Sequence, residues 1–189
     1  MNKILLLDNY DSFTYNLSHL IEKVSPLEVE VITNDRVDVQ NLNHYAGIVL
    51  SPGPGLPSSA GRMIDVLRLR PPELPLLGIC LGMQAIAEYY GASLRNLQTV
   101  CHGQARHVLP EPGSVLFRSC PTQFMVGRYH SWVVNEGDVP DVLNISARDG
   151  ENCIMAIEHS TLPVYGVQFH PESVLSEFGE LLIRNWLNS

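Results

Sequence analysis

At 189 residues, with 45% hydrophobic and 17% charged side chains, the chain has the make-up of one folded domain large enough to bury a core, and not of a disordered segment. Its formal net charge of −8 argues against nucleic acid or an anionic membrane surface as a partner. No apolar stretch is long enough to span a bilayer, and the run at residues 4–7 is too short for a secretory signal. The four cysteines, at 80, 101, 120 and 153, have no Cys-x-x-Cys spacing, which points to free thiols and a reducing cytoplasmic compartment. Cys101 and His102 lack the ligand spacing of a zinc site.

In chain order, residues 3–8 are almost wholly apolar without alternation, as a central parallel strand should be. Asn9-Tyr10-Asp11-Ser12 forms a turn, with Ser12 expected to cap a helix whose stripe is Leu17, Leu20, Ile21 and Val24. Residues 28–33 and 46–50 give two further strands, and residues 62–69 a helix that stops before Pro71-Pro72. The strand–helix alternation predicts an α/β domain with a doubly wound, mostly parallel sheet and ligands at the carboxyl ends of its strands. Asp8, Ser51 and Cys80 sit at such ends, so their loops should converge. Between residues 93 and 158 the strand candidates are short and separated by turn signals, which predicts a mixed or antiparallel extension of the same sheet. Residues 164–169 read as a last strand, and Ser176 as the cap of a last helix with Phe178, Leu181, Leu182 and Trp186 turned inward.

The chain is organised around Leu76-Leu77-Gly78-Ile79-Cys80-Leu81-Gly82-Met83-Gln84. A short apolar strand ends at the cysteine, and a helical stripe of Met83, Ile86, Ala87 and Tyr90 follows at once. A nucleophile on a sharp strand-to-helix bend, with glycine two residues to either side, is an elbow arrangement. Glycines are expected there because the bend brings backbone close to backbone. Cys80 at a helix N-terminus lies where free N–H groups and the macrodipole favour thiolate. Gln84 follows one turn later on the same side.

A cysteine nucleophile needs a base, and the base an orienting group. His170-Pro171-Glu172 supplies both: residues i and i+2 of an extended segment share a face, so Glu172 can hold the tautomer of His170. Tyr165, Val167 and Phe169 anchor the opposite face in the core. Ser51-Pro52-Gly53-Pro54-Gly55 forms a stiff loop whose Gly55 N–H, with that of Leu81, would make an oxyanion hole. Asp8 and Asp11 are explained by turn and cap duties.

Taken together these segments resemble a class I glutamine amidotransferase, and specifically the glutaminase subunit of anthranilate synthase or of 4-amino-4-deoxychorismate synthase. The similarity covers essentially the whole chain, read as one glutamine amidotransferase type 1 domain over 1–189. Beside the three segments above, it includes residues 8–17, Tyr129-His130-Ser131 and Gln168-Phe169-His170-Pro171-Glu172-Ser173. The resemblance implies Cys80, His170 and Glu172 as a catalytic triad acting through a γ-glutamyl thioester. It implies L-glutamine held by Gly53, Pro54, Gly55, Leu81, Gln84 and the Ser131-Trp132 backbone. It further implies ammonia passed to a larger chorismate-binding subunit, and no metal or organic cofactor. His130 and His102 are expected to be structural or interface residues. The family often has His-Gly-Lys where this chain has His102-Gly103-Gln104, and Leu where it has Trp132; the first bears on the partner contact, the second on the shape of the glutamine pocket. Rival readings are a cysteine hydrolase of γ-glutamyl compounds acting alone and a catalytically silent scaffold.

Overall fold

The computed structural model describes residues 2–189, with residues 98–100 described as backbone only. Among the described residues nine strands form one sheet: β1 (Lys3–Asp8), β2 (Glu28–Thr33), β3 (Gly47–Leu50), β4 (Leu76–Ile79), β5 (Leu94–Pro110), β6 (Phe124–Val134), β7 (Leu143–Asp149), β8 (Ile154–His159) and β9 (Val164–Val167). Their order is β2-β1-β3-β4-β9-β8-β7-β5-β6. The first five strands of that order pair in parallel, and the last four add antiparallel neighbours. This is the doubly wound sheet with an antiparallel extension that the sequence predicts.

Helices α1 (Thr14–Val24), α2 (Met63–Leu69), α3 (Leu81–Tyr89) and α4 (Gly179–Leu187) cover the sheet on both faces. The pleat of β1 divides the core: Leu5 and Leu7 join Met63 and Val66 of α2 and Met83 and Ile86 of α3. Ile4 and Leu6 face the other way, onto Leu17 and Ile21 of α1 and Ile183 and Trp186 of α4. With helices on both sides the central strands must be apolar throughout, which is why β1, β3 and β4 show no alternation. Among the described residues no helix is long and apolar enough to cross a membrane.

Four expectations need correction. Phe13, not Ser12, precedes α1; the turn is tied instead by Asp8 Oδ1, which accepts from the Asp11 N–H at 3.2 Å and from Thr14 Oγ1 at 2.7 Å. The middle of the chain holds two long strands, of 17 and 11 residues, whose pairing is broken by shifts of register. The last strand ends at Val167, although His170 still forms an isolated bridge with Gly127. Ser176 does not cap α4, which starts at Gly179 after a left-handed Phe178, and Phe178 is 41% exposed. The inward stripe is Gly179, Leu182, Ile183 and Trp186, the i, i+3, i+4, i+7 set of one helix face.

Candidate active site

Cys80 stands alone between β4 and α3 with φ 52° and ψ −100°. A side chain in that region of backbone space is strained by about 1–3 kcal/mol, a cost that surrounding contacts must impose. The neighbours do so. A Cβ on Gly78 would lie 2.4 Å from the carbonyl carbon of Gly82, and one on Gly82 would lie 2.5 Å from the carbonyl oxygen of Leu50. The strand, the bend and the first helical turn touch backbone to backbone, so only glycine fits on either side of the cysteine. The Cys80 N–H donates to the Val167 carbonyl at 2.8 Å, which fastens the bend to the end of β9.

That same end of β9 leads to His170. Its N–H donates to Gly127 O at 3.0 Å, and its carbonyl accepts from the Ser173 N–H and from Ser176 Oγ. Ser176 Oγ also accepts from the Gly127 N–H at 2.9 Å, so the hydroxyl clamps the histidine backbone against β6. His170 Nδ1 and Glu172 Oε1 are 2.8 Å apart, with 3% and 0% of the two side chains exposed. Burial alone would push the His170 pKa down. Contact with the Cys80 sulfur and the Glu172 carboxylate more than reverses this and raises it to about 10. Nε2 faces the Cys80 sulfur without a formed hydrogen bond among the described residues, the loose geometry common in unliganded sites. Phe13 and Tyr129 pack against the imidazole with ring centres 5.3 and 4.9 Å away.

The thiol opens on two clefts. One, of about 170 Å³, is walled by Gly53, Pro54, Gly55, Gln84, Ser131 and Trp132. The other, of about 490 Å³, is walled by Tyr10, Phe13, His102, Tyr129 and His170. In the narrow cleft Gln84 Nε2 donates to the Trp132 carbonyl at 2.9 Å and to Gln168 Oε1 at 3.2 Å, and Gln168 Nε2 reaches Cys80 Sγ at 3.5 Å. Gly55 has left-handed backbone, φ 79°, and Leu81 is the first residue of α3, whose N–H has no preceding turn to bond. Among the described residues no group of three or more His, Cys, Asp or Glu is placed to hold a metal ion.

Comparison with known proteins settles the lineage of this arrangement. The family model for class I glutamine amidotransferases matches residues 5–189. The chain belongs to that family. This amidotransferase is 42% identical over 185 residues to the "Putative anthranilate synthase component II" of Haemophilus influenzae, covering 98% of this chain and 95% of the relative. It is 34% identical to the "Aminodeoxychorismate/anthranilate synthase component 2" of Bacillus subtilis, covering 98% and 96% of the two chains. Among solved structures, a putative GMP synthase subunit from Thermoplasma acidophilum superposes with a TM-score of 0.88 at 26% identity, covering 100% of this chain and 93% of that one.

In this amidotransferase the site residues expected from sequence gather around Cys80: Leu81 and Gln84 from the elbow, Gly53, Pro54 and Gly55 from the loop after β3, and Ser131 and Trp132 from β6 wall the narrow cleft, His170 from beyond β9 walls the wide one, and Glu172, buried and lining neither, meets His170 Nδ1. The converging loops are stitched by Asn9, whose N–H donates to Ser51 Oγ at 2.8 Å and whose amide donates to Ser51 O at 2.9 Å. Two residues of the amidotransferase escaped the sequence reading. Gln168 bonds the thiol, and its position two residues before His170 was the available signal. Ser176 holds the His170 carbonyl, a duty that a serine shortly before a helix does not announce.

Proposed function

We propose that this amidotransferase is the glutaminase subunit of anthranilate synthase. Cys80 Sγ attacks the side-chain amide carbon of L-glutamine; the C–N bond breaks, and His170 gives its proton to the departing ammonia. Water then attacks the γ-glutamyl thioester, His170 takes a proton from it, and the C–S bond breaks to release glutamate. Glu172 keeps Nδ1 of the imidazole bonded so that Nε2 faces the sulfur. The Gly55 and Leu81 N–H groups receive the oxyanion, and Gln84 with the Ser131-Trp132 backbone holds the substrate. The ammonia passes to a larger chorismate-binding subunit. On this reading residues 1–189 act as one type 1 amidotransferase domain, in the cytoplasm and without a cofactor of their own.

The observation that carries the reading is the buried 2.8 Å contact of His170 with Glu172 beside an elbow cysteine, the three groups a thiol hydrolase needs. The name of the Bacillus relative, which joins both syntheses, favours a second reading in which the same subunit serves aminodeoxychorismate formation. Glutaminase assays with and without the chorismate-binding subunit, followed by identification of the aromatic product, test all of this. Activity that rises sharply with the partner and yields anthranilate is expected. Full activity alone would favour an independent hydrolase, and unchanged glutamine-dependent synthesis by Cys80→Ala a silent scaffold.

A further inference from the structure

His130 takes no part in the chemistry above, yet it is 5% exposed and bonded at both ring nitrogens. Arg128, two residues earlier on β6, pairs through Nη1 with Asp149 of β7, both side chains being 4% exposed. Asp149 is itself fixed by the N–H groups of Glu151 and Cys153, at 2.9 and 2.8 Å. From this anchored position Arg128 Nε lies 3.1 Å from His130 Nε2. A guanidinium has no lone pair to offer, so Nε2 accepts and the single ring proton stands on Nδ1. Nδ1 lies 3.1 Å from the Trp132 carbonyl oxygen, and therefore donates to it. The same carbonyl receives Gln84 Nε2.

We propose that His130 is a positioning residue for glutamine: the Asp149–Arg128 pair locks its ring as the Nδ1–H tautomer, and that proton fixes the Trp132 carbonyl, and so the 132–133 peptide plane that sets how Trp132 stands in the wall of the narrow cleft. The inference rests on the glutaminase reading given above. With the proton on Nε2 instead, the guanidinium would meet an N–H and the carbonyl a lone pair, and the peptide would be pushed from the cleft wall. Burial first, then the Arg128 charge, keep the ring neutral, lowering its pKa to about 3; His170 acts in the same direction, while the Trp132 carbonyl and Asp149 oppose it.

The test is steady-state glutamine hydrolysis by the complex assembled with the chorismate-binding subunit, for wild type, His130→Leu and His130→Asn. His130→Leu is expected to raise the KM for glutamine about tenfold while kcat stays within about twofold. Asn, whose amide nitrogen replaces Nδ1, is expected to bring KM back to within about threefold of wild type. Cys80 alkylation by iodoacetamide should proceed at the same rate in all three. An unchanged KM in His130→Leu, an Asn variant as impaired as Leu, or a loss confined to kcat overturns the proposal. Should the variants not fold, the imidazole 15N spectrum of the wild-type chain decides: a neutral Nδ1–H ring with no titration between about pH 5 and 8 is expected, and an Nε2–H tautomer or a titration there overturns it. A wild-type complex that releases no glutamate overturns the glutaminase reading, while the 15N spectrum still judges the tautomer lock.

Discussion

Gln168 Nε2 lies 3.5 Å from Cys80 Sγ, and Gln168 Oε1 lies 3.2 Å from Gln84 Nε2, so one fully buried amide joins the elbow thiol to the residue a helical turn beyond it. Leucine has nearly the same volume but neither polar atom. Gln168→Leu is expected to lower kcat/KM for glutamine about tenfold and to leave the melting temperature within a few degrees. A full-rate Gln168→Leu enzyme would show that the amide is packing only.

The backbone of Cys80 separates stability from turnover. Its φ of 52° and ψ of −100° suit glycine and no other residue. Cys80→Gly should therefore be more stable than Cys80→Ala by about 1–2 kcal/mol, although both lack the thiol. Urea denaturation of the two variants checks this, and the reverse order would mean that the bend carries no strain.

The three groups of the proposed triad should not contribute equally. Cys80→Ala and His170→Ala are expected to abolish glutamine hydrolysis, whereas Glu172→Gln, which still offers a carbonyl to Nδ1, should retain about a hundredfold more activity than either. With the carboxylate charge gone, the His170 pKa should also fall from about 10, because Glu172 is one of the two groups that raise it. The pH titration of the His170 imidazole 15N signals in wild type and Glu172→Gln measures the shift, and coincident profiles would contradict it.

Two buried histidines respond to pH in opposite senses. His130 has a folded pKa of about 3, below its ordinary 6.5, so in the window between these values the unfolded chain binds the proton that the folded chain refuses. Its contribution to stability is present above about pH 6.5 and is lost as pH falls through about 3. His170, raised to about 10, contributes fully below about pH 6.5 and loses that contribution as pH rises through about 10. Urea midpoints between about pH 4 and 9 should show an acid-side slope that flattens in His130→Asn and an alkaline-side slope that flattens in His170→Gln. Parallel curves for wild type and variants would refute both assignments.

How much of this was legible in the chain depends on the range of each interaction. The elbow was readable because Gly78, Gly82 and the stripe from Met83 to Tyr90 lie within one short window, and the backbone contacts that demand glycine are local. His170 and Glu172 were readable because a spacing of two on extended chain is itself a geometry. The lengths of β5 and β6 were not, since their pairing is interrupted near Cys101 and Gln104 and each fragment alone looks like a short strand. Nor was the role of Ser176, whose partners His170 and Gly127 are brought to it by the sheet and not by its own neighbours. Phe178 looked apolar and helical, but its left-handed backbone ends the loop before the helix begins and turns the ring outward.

Because residue 80 borders both a tight polar hollow and a wider aromatic one, its sulfur has two doors. A body that shuts the broad door leaves the slim one open to the bath. Arrival and departure then need not share a side of the sulfur.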